Sequence, residues 1–291
     1  MDVKCRRLEG KVAVVTASTQ GIGLAIAERL GLEGAAVVIS SRKQKNVDEA
    51  VEGLRAKGIT VVGAVCHVSN AEQRKHLVDT AVKIRYLGDA ILNRSALYSG
   101  ISARARCWFA RLLPVKLELD SGRFHCNCLK HVQVYFSEAN PQNFGHIDIV
   151  VSNAAANPSV DSILEMKESV LDKLWDINVK ASILLLQDAA PHLRKGSSVI
   201  LISSIAGYNP DAALTMYGVT KTALFGLTKA LATEMGPNTR VNCIAPGFVP
   251  TRFAGFLTTN ETIQLLPIWD NIMTNITVEK REGTIFTLHM E

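Results

Sequence analysis

Three side chains in the second half of this chain could move a proton together. Ser203 and Ser204 close an apolar strand pattern, Tyr217 stands 13 residues beyond Ser204, and Lys221 stands four beyond Tyr217. The i, i+4 spacing puts Tyr217 and Lys221 on one face of a helix. An ammonium beside a phenol favours the phenolate and lowers a pKa that is otherwise about 10. Tyr217 would then be a usable general acid at neutral pH. The Ser204 hydroxyl, at the carboxyl end of a parallel strand, lies where ligands bind in such sheets and could orient and polarise a carbonyl. A YxxxK pair by itself is commonly a surface pair on a helix, so its weight comes from what accompanies it.

The companion is a glycine turn, Thr16-Ala-Ser-Thr-Gln-Gly-Ile-Gly23, between a β-branched run and an amphipathic stretch. A strand–turn–helix of this kind brings backbone N–H groups and the positive end of a helix dipole to a pyrophosphate. Ser18, Gln20, Gly21, Ile22 and Gly23 are therefore candidate cofactor-binding residues. A GxG pair alone often marks a plain turn; its place at the head of a βαβ unit gives it meaning. An NAD site needs an acid about 20 residues on, to hold the ribose 2′-hydroxyl. This chain has Ser40-Ser41-Arg42-Lys43 there. Ser41 and Arg42 could bind a 2′-phosphate, since a guanidinium suits a phosphate dianion. NADP(H) is therefore expected in preference to NAD; the bland alternative is a solvated basic loop.

These residues need a scaffold, and the periodicity supplies one. Short apolar runs at Val12–Thr16, Ala36–Ser40, Thr60–Cys66, Ile147–Ser152, Ser198–Ile202 and Arg240–Ile244 read as buried strands. Helical patterns lie between them, at about 24–32, 47–57, 71–84, 170–193 and 217–235. Strands alternating with helices predict an α/β fold, a doubly wound parallel sheet of Rossmann type. Burial on both faces explains why the strands are apolar throughout.

Taken together, the ordered motifs resemble the short-chain dehydrogenase/reductase family. They are TASTQGIG at 16–23, Asn153-Ala-Ala155, Asn178, Ser204, Tyr217-Gly-Val-Thr-Lys221 and Pro246-Gly247. CHVSN at 66–70, SNAA and SSRK are most similar to the carbonyl-reductase branch known as dehydrogenase/reductase member 4, in its plant-type form. The resemblance covers roughly residues 8–84 and 145–262. It implies hydride transfer between NADP(H) and a ketone or aldehyde. It also implies catalytic roles for Asn178, Ser204, Tyr217 and Lys221. Tyr217 would protonate the substrate oxygen, Lys221 would lower its pKa and hold the ribose, Ser204 would steady the carbonyl, and Asn178 would anchor a water relay. Asn153 would support the sheet near the ribose. Pro246, Gly247 and Thr251 would form the loop over the nicotinamide. Relatives pair through their long helices, which implies a homo-oligomer. Two departures stand out: Ala17 replaces the first motif glycine, and His67-Val68 replaces the acid usually found near adenine.

Two segments break the pattern. Residues 85–143 show neither helical nor strand periodicity where the family runs almost directly from its third helix to its fourth strand. They carry eight Lys+Arg against four Asp+Glu, so most of the +5 net charge lies there. His125, Cys126, Cys128 and His131 lack a standard zinc spacing, so no metal is expected. No nucleic-acid-binding motif accompanies the arginines, so no nucleic-acid partner is expected. The residues after about 262 match no family element; the seventh strand is expected to be missing, and Thr284–Leu288 gives only a strand hint. The expected organisation is one NAD(P)-binding domain over 1–291, interrupted at 85–143, with an atypical tail at 263–291. The alternative to an active reductase is a catalytically inactive or misfolded splice or gene-model variant of the same family. The apolar runs are too short to span a bilayer, and the start resembles no secretory signal. Six scattered Cys suit a reducing interior. Peroxisomal relatives end in a receptor-read tripeptide; this chain ends Leu-His-Met-Glu, so the expectation is a soluble, cytosolic protein.

Overall fold

β-Branched residues build the centre of the sheet. In the computed structural model, β1 (Val12–Val15) and β4 (Ile147–Ser152) are buried at every position. The structure describes residues 6–84, 145–159, 161–210, 214–249, 251–254 and 285–288. The chain divides into a unit of residues 1–85 and 145–291 and a second of residues 86–144. The second, with His125, Cys126, Cys128 and His131, lies outside the described residues.

The remaining strands are β2 (Ala36–Ser41), β3 (Val61–Val65), β5 (Leu193–Ile202), β6 (Thr239–Pro246) and β7 (Ile285–Leu288). Their order is β3-β2-β1-β4-β5-β6-β7, with every pairing parallel. This is the doubly wound sheet the sequence predicts. The strand order reverses between β1 and β4, and in such sheets the crevice at the carboxyl ends of those strands receives the ligand.

The expected loss of the seventh strand is corrected. Cys243–Pro246 of β6 pairs in parallel with Ile285–Leu288. The tail returns to the sheet because Ile-Phe-Thr-Leu is a short run of strong β-formers, although no glycine-rich family element announces it.

The helices are α1 (Gly21–Leu32), α2 (Gln44–Ala56), α3 (71–84), α4 (Glu168–Trp175), α5 (Ala181–Ala189) and α6 (Thr215–Met235). One apolar cluster joins Ala13, Val15, Val37 and Ile39 of the sheet to Ala27 of α1 and Leu54 of α2. A second joins Val12, Val14, Val38 and Val199 to Leu77 of α3, Leu185 of α5 and Leu224 of α6. Both faces are thus covered, as parallel sheets require.

Two local features depart from simple periodicity. The expected long helix over 170–193 is α4 and α5 joined by a π-helical turn at Asp176–Lys180. β5 starts at Leu193, five residues before its apolar run, and its register to β4 shifts between Ile147 and Ile149. Arg194 explains the early start, because it pairs with Asp148. That carboxylate is only 4% exposed and also accepts the Val12 N–H at 2.9 Å.

Candidate active site

The glycine turn is held by hydrogen bonds from across the sheet. Asn153, just past β4, donates from Nδ2 to the Thr16 and Ala17 carbonyls, both at 3.1 Å. The Thr16 hydroxyl accepts from the Asn153 and Ala154 N–H groups at 2.9 and 3.1 Å. Ser18 is fully buried; its hydroxyl donates to the Val15 carbonyl at 2.6 Å and accepts from the Ser40 N–H at 3.1 Å. Ser18 thereby ties the turn to the end of β2, with its proton already committed.

The turn's backbone is unusual at two positions. Ala17 has φ +50° and Gly21 has φ +56°, the left-handed region that disfavours a Cβ. At Gly23 a Cβ would lie 2.5 Å from Asn153 Nδ2 and 2.6 Å from the Ala17 carbonyl oxygen. At Gly21 it would lie 3.1 Å from the Thr251 side chain, so the segment after β6 closes onto the glycine turn. Gln20 precedes α1 without a side-chain cap, and no acid stands in the first helical turn. The amino end of α1, including Ile22, therefore offers uncapped N–H groups and a positive dipole end. Ser41 ends β2 half-buried, and Arg42 follows it exposed; among the described residues no carboxylate pairs with Arg42. These groups fit a dinucleotide: two turn positions without side chains at Gly21 and Gly23, an uncapped helix end, and a guanidinium beside the second strand.

The proton-moving residues lie at the carboxyl end of β5. Ser204 follows that strand, and its Oγ accepts the Ala206 N–H at 3.2 Å. The Ser204 side chain also acts on the Tyr217 phenol, favouring its ionised form. Tyr217 and Lys221 project from the first turns of α6, and both are buried. Lys221 Nζ lies 5.5 Å from the Tyr217 ring centroid and donates to the Ile202 carbonyl at 2.9 Å. Glycines let α6 come this close. A Cβ on Gly218 would lie 2.6 Å from the Ala206 carbonyl oxygen, and one on Gly207 would lie 2.9 Å from the Lys221 carbonyl carbon.

Burial governs the titration of the pair. It pushes the Tyr217 phenol up to about 12, against the opposing influence of Ser204. It pushes the Lys221 ammonium down to about 8. The sequence predicts a lowered phenol; the structure raises it, because desolvation outweighs the favourable contact with Ser204, and Lys221 points its Nζ at the Ile202 carbonyl.

Asn178 sits in the π-helical turn, fully buried. Its Oδ1 accepts the Ala156 N–H at 2.8 Å, and its Nδ2 donates to the Ala156 carbonyl at 3.0 Å and to Thr220 Oγ1 at 2.9 Å. Pro246 ends β6, with Gly247 beyond it, and Thr251 leads into a 3₁₀ turn at Arg252–Ala254. Phe253 of that turn places its ring 5.9 Å from that of Tyr217.

The structure thus gathers the candidate residues at the carboxyl edge of the sheet. The sequence reading missed Thr16 and Thr220. Each is a fully buried hydroxyl, and a Thr at a strand end or on a helix carries no distinguishing signal. Two buried polar atoms among the described residues have no partner, Ser40 Oγ and Asn157 Nδ2, and both lie in segments bordering this edge.

The fold and site define a Rossmann-type α/β protein with a Ser, Tyr, Lys cluster at its ligand edge. Comparison with known proteins places it further. The family described as "short chain dehydrogenase" matches residues 11–97, and that described as "Enoyl-(Acyl carrier protein) reductase" matches residues 124–282. "Tropinone reductase-like 3" of Erythroxylum coca is 57% identical over 279 residues, 96% of this chain and 83% of that one. "Short-chain dehydrogenase/reductase SDRA" of Arabidopsis thaliana is 54% identical over 259 residues, 89% and 79% of the two chains. "Dehydrogenase/reductase SDR family member 4" of Homo sapiens is 42% identical over 253 residues, 86% and 70% of the two chains. Among solved structures, a Burkholderia cenocepacia short chain dehydrogenase in complex with NADP superposes with a TM-score of 0.63 at 24% identity, covering 89% of this chain and 81% of that one. The chain belongs to the short-chain dehydrogenase/reductase family and is an oxidoreductase. Among the described residues no helix is long and apolar enough to cross a membrane.

Proposed function

We propose that the chain interconverts ketones or aldehydes and their alcohols with NADP(H). The observation that carries this reading is the buried Tyr217–Lys221 pair, with Lys221 Nζ 5.5 Å from the phenol ring, beside Ser204 at the sheet edge that also holds the glycine turn. Arg42 supports NADP(H) over NAD, because the end of β2 offers a guanidinium where an NAD site needs a carboxylate.

Gln20, Gly21, Ile22 and Gly23 would cradle the pyrophosphate, and Ser41 and Arg42 the 2′-phosphate; Ser18, expected from the sequence to bind the cofactor, instead braces the turn, since it is fully buried and gives its hydroxyl to Val15 and its N–H to the Ser40 carbonyl. Asn153 would brace the turn from behind, while Pro246, Gly247 and Thr251 would flank the nicotinamide. A bound NADPH supplies the hydride that reduces the carbonyl carbon. Ser204 donates a hydrogen bond to the carbonyl oxygen and fixes its distance from Tyr217. The Tyr217 phenol passes its proton to that oxygen as the alcohol forms, and the phenolate regains a proton from solvent. Lys221, when charged, stabilises the phenolate; Asn178 ties its own π-turn to the loop after β4.

One domain carries this chemistry in the proposed organisation, interrupted at 85–143, with the 263–291 tail supplying β7. A second copy of the chain fits the outer face of α4 and α6. There Trp175 is 47% exposed and Val219 38%, around a hollow also lined by Gly207, Tyr208 and Pro210. Light scattering on purified protein tests that association: a dimer supports it and a monomer at micromolar concentration opposes it.

The function itself is tested by NADPH oxidation with a panel of ketones and aldehydes, alongside the melting temperature with and without NADPH. Turnover of at least one carbonyl together with an upward thermal shift is expected. A folded chain that shifts with NADPH yet turns over no carbonyl would instead be the inactive variant.

A further inference from the structure

We propose that the Thr220 hydroxyl is a positioning residue for the Tyr217–Lys221 helix, acting through Asn178. The proposal deepens the reductase reading and rests on it for its kinetic consequences. Thr220 is fully buried on α6, immediately before Lys221. Its hydroxyl donates to the Tyr217 carbonyl at 2.7 Å, one turn back. With that proton committed, the oxygen can only accept, and what it accepts is Asn178 Nδ2–H at 2.9 Å.

That one-way bond determines how the Asn178 amide faces. Its other Nδ2 proton goes to the Ala156 carbonyl at 3.0 Å, and its Oδ1 takes the Ala156 N–H at 2.8 Å. A flipped amide would set Oδ1 against the Ala156 carbonyl and against a Thr220 oxygen with no proton to offer. Every donor of the amide, and its acceptor, is therefore matched in one orientation only. The chain of contacts runs from Tyr217 through Thr220 and Asn178 to Ala156, and so joins α6, the π-turn and the loop after β4. A hydroxyl is required at residue 220 because it must give to one neighbour and take from the other. Val, the same shape without the hydroxyl, would leave one Asn178 proton buried and unpaired, and the amide or the π-turn would shift to satisfy it.

The test compares Thr220→Val, Thr220→Ala and Thr220→Ser in the full-length chain. Ala and Ser both lack the methyl and differ only in the hydroxyl, so that comparison stands even where Val folds poorly. Three quantities are read: kcat and KM for carbonyl reduction, NADPH affinity by fluorescence titration, and hydrogen exchange at the Ala156 amide. Val and Ala are expected to lower kcat about tenfold, the factor set by one unmade buried hydrogen bond. NADPH affinity should stay within about twofold, and the Ala156 amide should exchange at least about tenfold faster. Ser should match wild type in all three. The proposal is overturned where Ser falls as far as Ala, where Ala and Val keep wild-type kcat and Ala156 protection, or where NADPH affinity falls in step with kcat. If the wild-type chain reduces no carbonyl, the reductase reading fails, and Ala156 exchange still decides whether Thr220 holds the amide.

Discussion

Replacing Gly23 with Ala should disable the cofactor turn, and the cost can be worked from its surroundings. The new Cβ would stand 2.5 Å from Asn153 Nδ2, 2.6 Å from the Ala17 carbonyl oxygen and 2.9 Å from the Ser18 Cα. Asn153 can move, but withdrawing it breaks its two 3.1 Å hydrogen bonds to the Thr16 and Ala17 carbonyls, at about 1 kcal/mol each. The other two contacts are backbone and cannot yield without reshaping the turn, which adds about 1–3 kcal/mol of overpacking. The total, about 3–5 kcal/mol, should lower the melting temperature by roughly 6–15 °C in a domain of this size. NADPH affinity should fall by more than about tenfold, because the N–H groups of the turn move with it. Gly53→Ala is the matched control: a Cβ there meets nothing within 4 Å, on the exposed face of α2. It should stabilise by about 0.5–1 kcal/mol. Thermal unfolding and fluorescence titration read both variants. A Gly23→Ala protein that melts with wild type and binds NADPH as tightly would refute the crowding argument.

Three further outcomes follow from the same geometry. Ala17→Gly should relieve the φ +50° strain and raise stability by about 0.5–1 kcal/mol after the glycine's larger unfolded entropy is subtracted, as measured by urea unfolding; a destabilised variant would contradict it. Arg42→Ser should raise the KM for NADPH about tenfold to hundredfold, the worth of charge-assisted phosphate bonds, and leave the KM for NADH within about threefold; equal effects on both cofactors would remove Arg42 from the 2′-phosphate. Burial holds Lys221 down at about 8 from 10.5, so between those values the unfolded chain binds the extra proton and stability rises with pH. Urea midpoints of wild type minus Lys221→Met should show a rise across pH 8 to 10.5 worth up to about 3 kcal/mol; a flat difference would mean the ammonium is solvated.

Much of this structure is legible in the sequence, because its signals are local. A β-branched run, a glycine turn and a helix at Val12–Leu32 announce themselves by residue type, as do Tyr217 and Lys221 by their spacing. What was not legible depends on contacts between distant segments. Nothing near Leu193 suggests that β5 begins there; Arg194 pairs with Asp148, 46 residues earlier. The Asn153 clamp reaches 137 residues back to Thr16, and Thr220 acquires its role from an amide 42 residues away. β7 is not legible in the sequence because four residues of β-forming type are too short a signal without the β6 edge that pairs with them. The phenol's direction of shift also escaped the sequence. The spacing of Tyr217 and Lys221 shows that they are neighbours, but not that both are desolvated or where the Lys221 Nζ points.

The most direct test of the reductase assignment compares wild type and Tyr217→Phe in NADPH oxidation across a carbonyl panel, with NADPH affinity measured on the same preparations. Phe keeps the ring that packs near Phe253 and removes only the hydroxyl. The expected result is turnover by wild type, a loss of at least about a thousandfold in Tyr217→Phe, within the range that a missing general acid sets, and NADPH affinity unchanged within about threefold. Undiminished carbonyl reduction by Tyr217→Phe would contradict it.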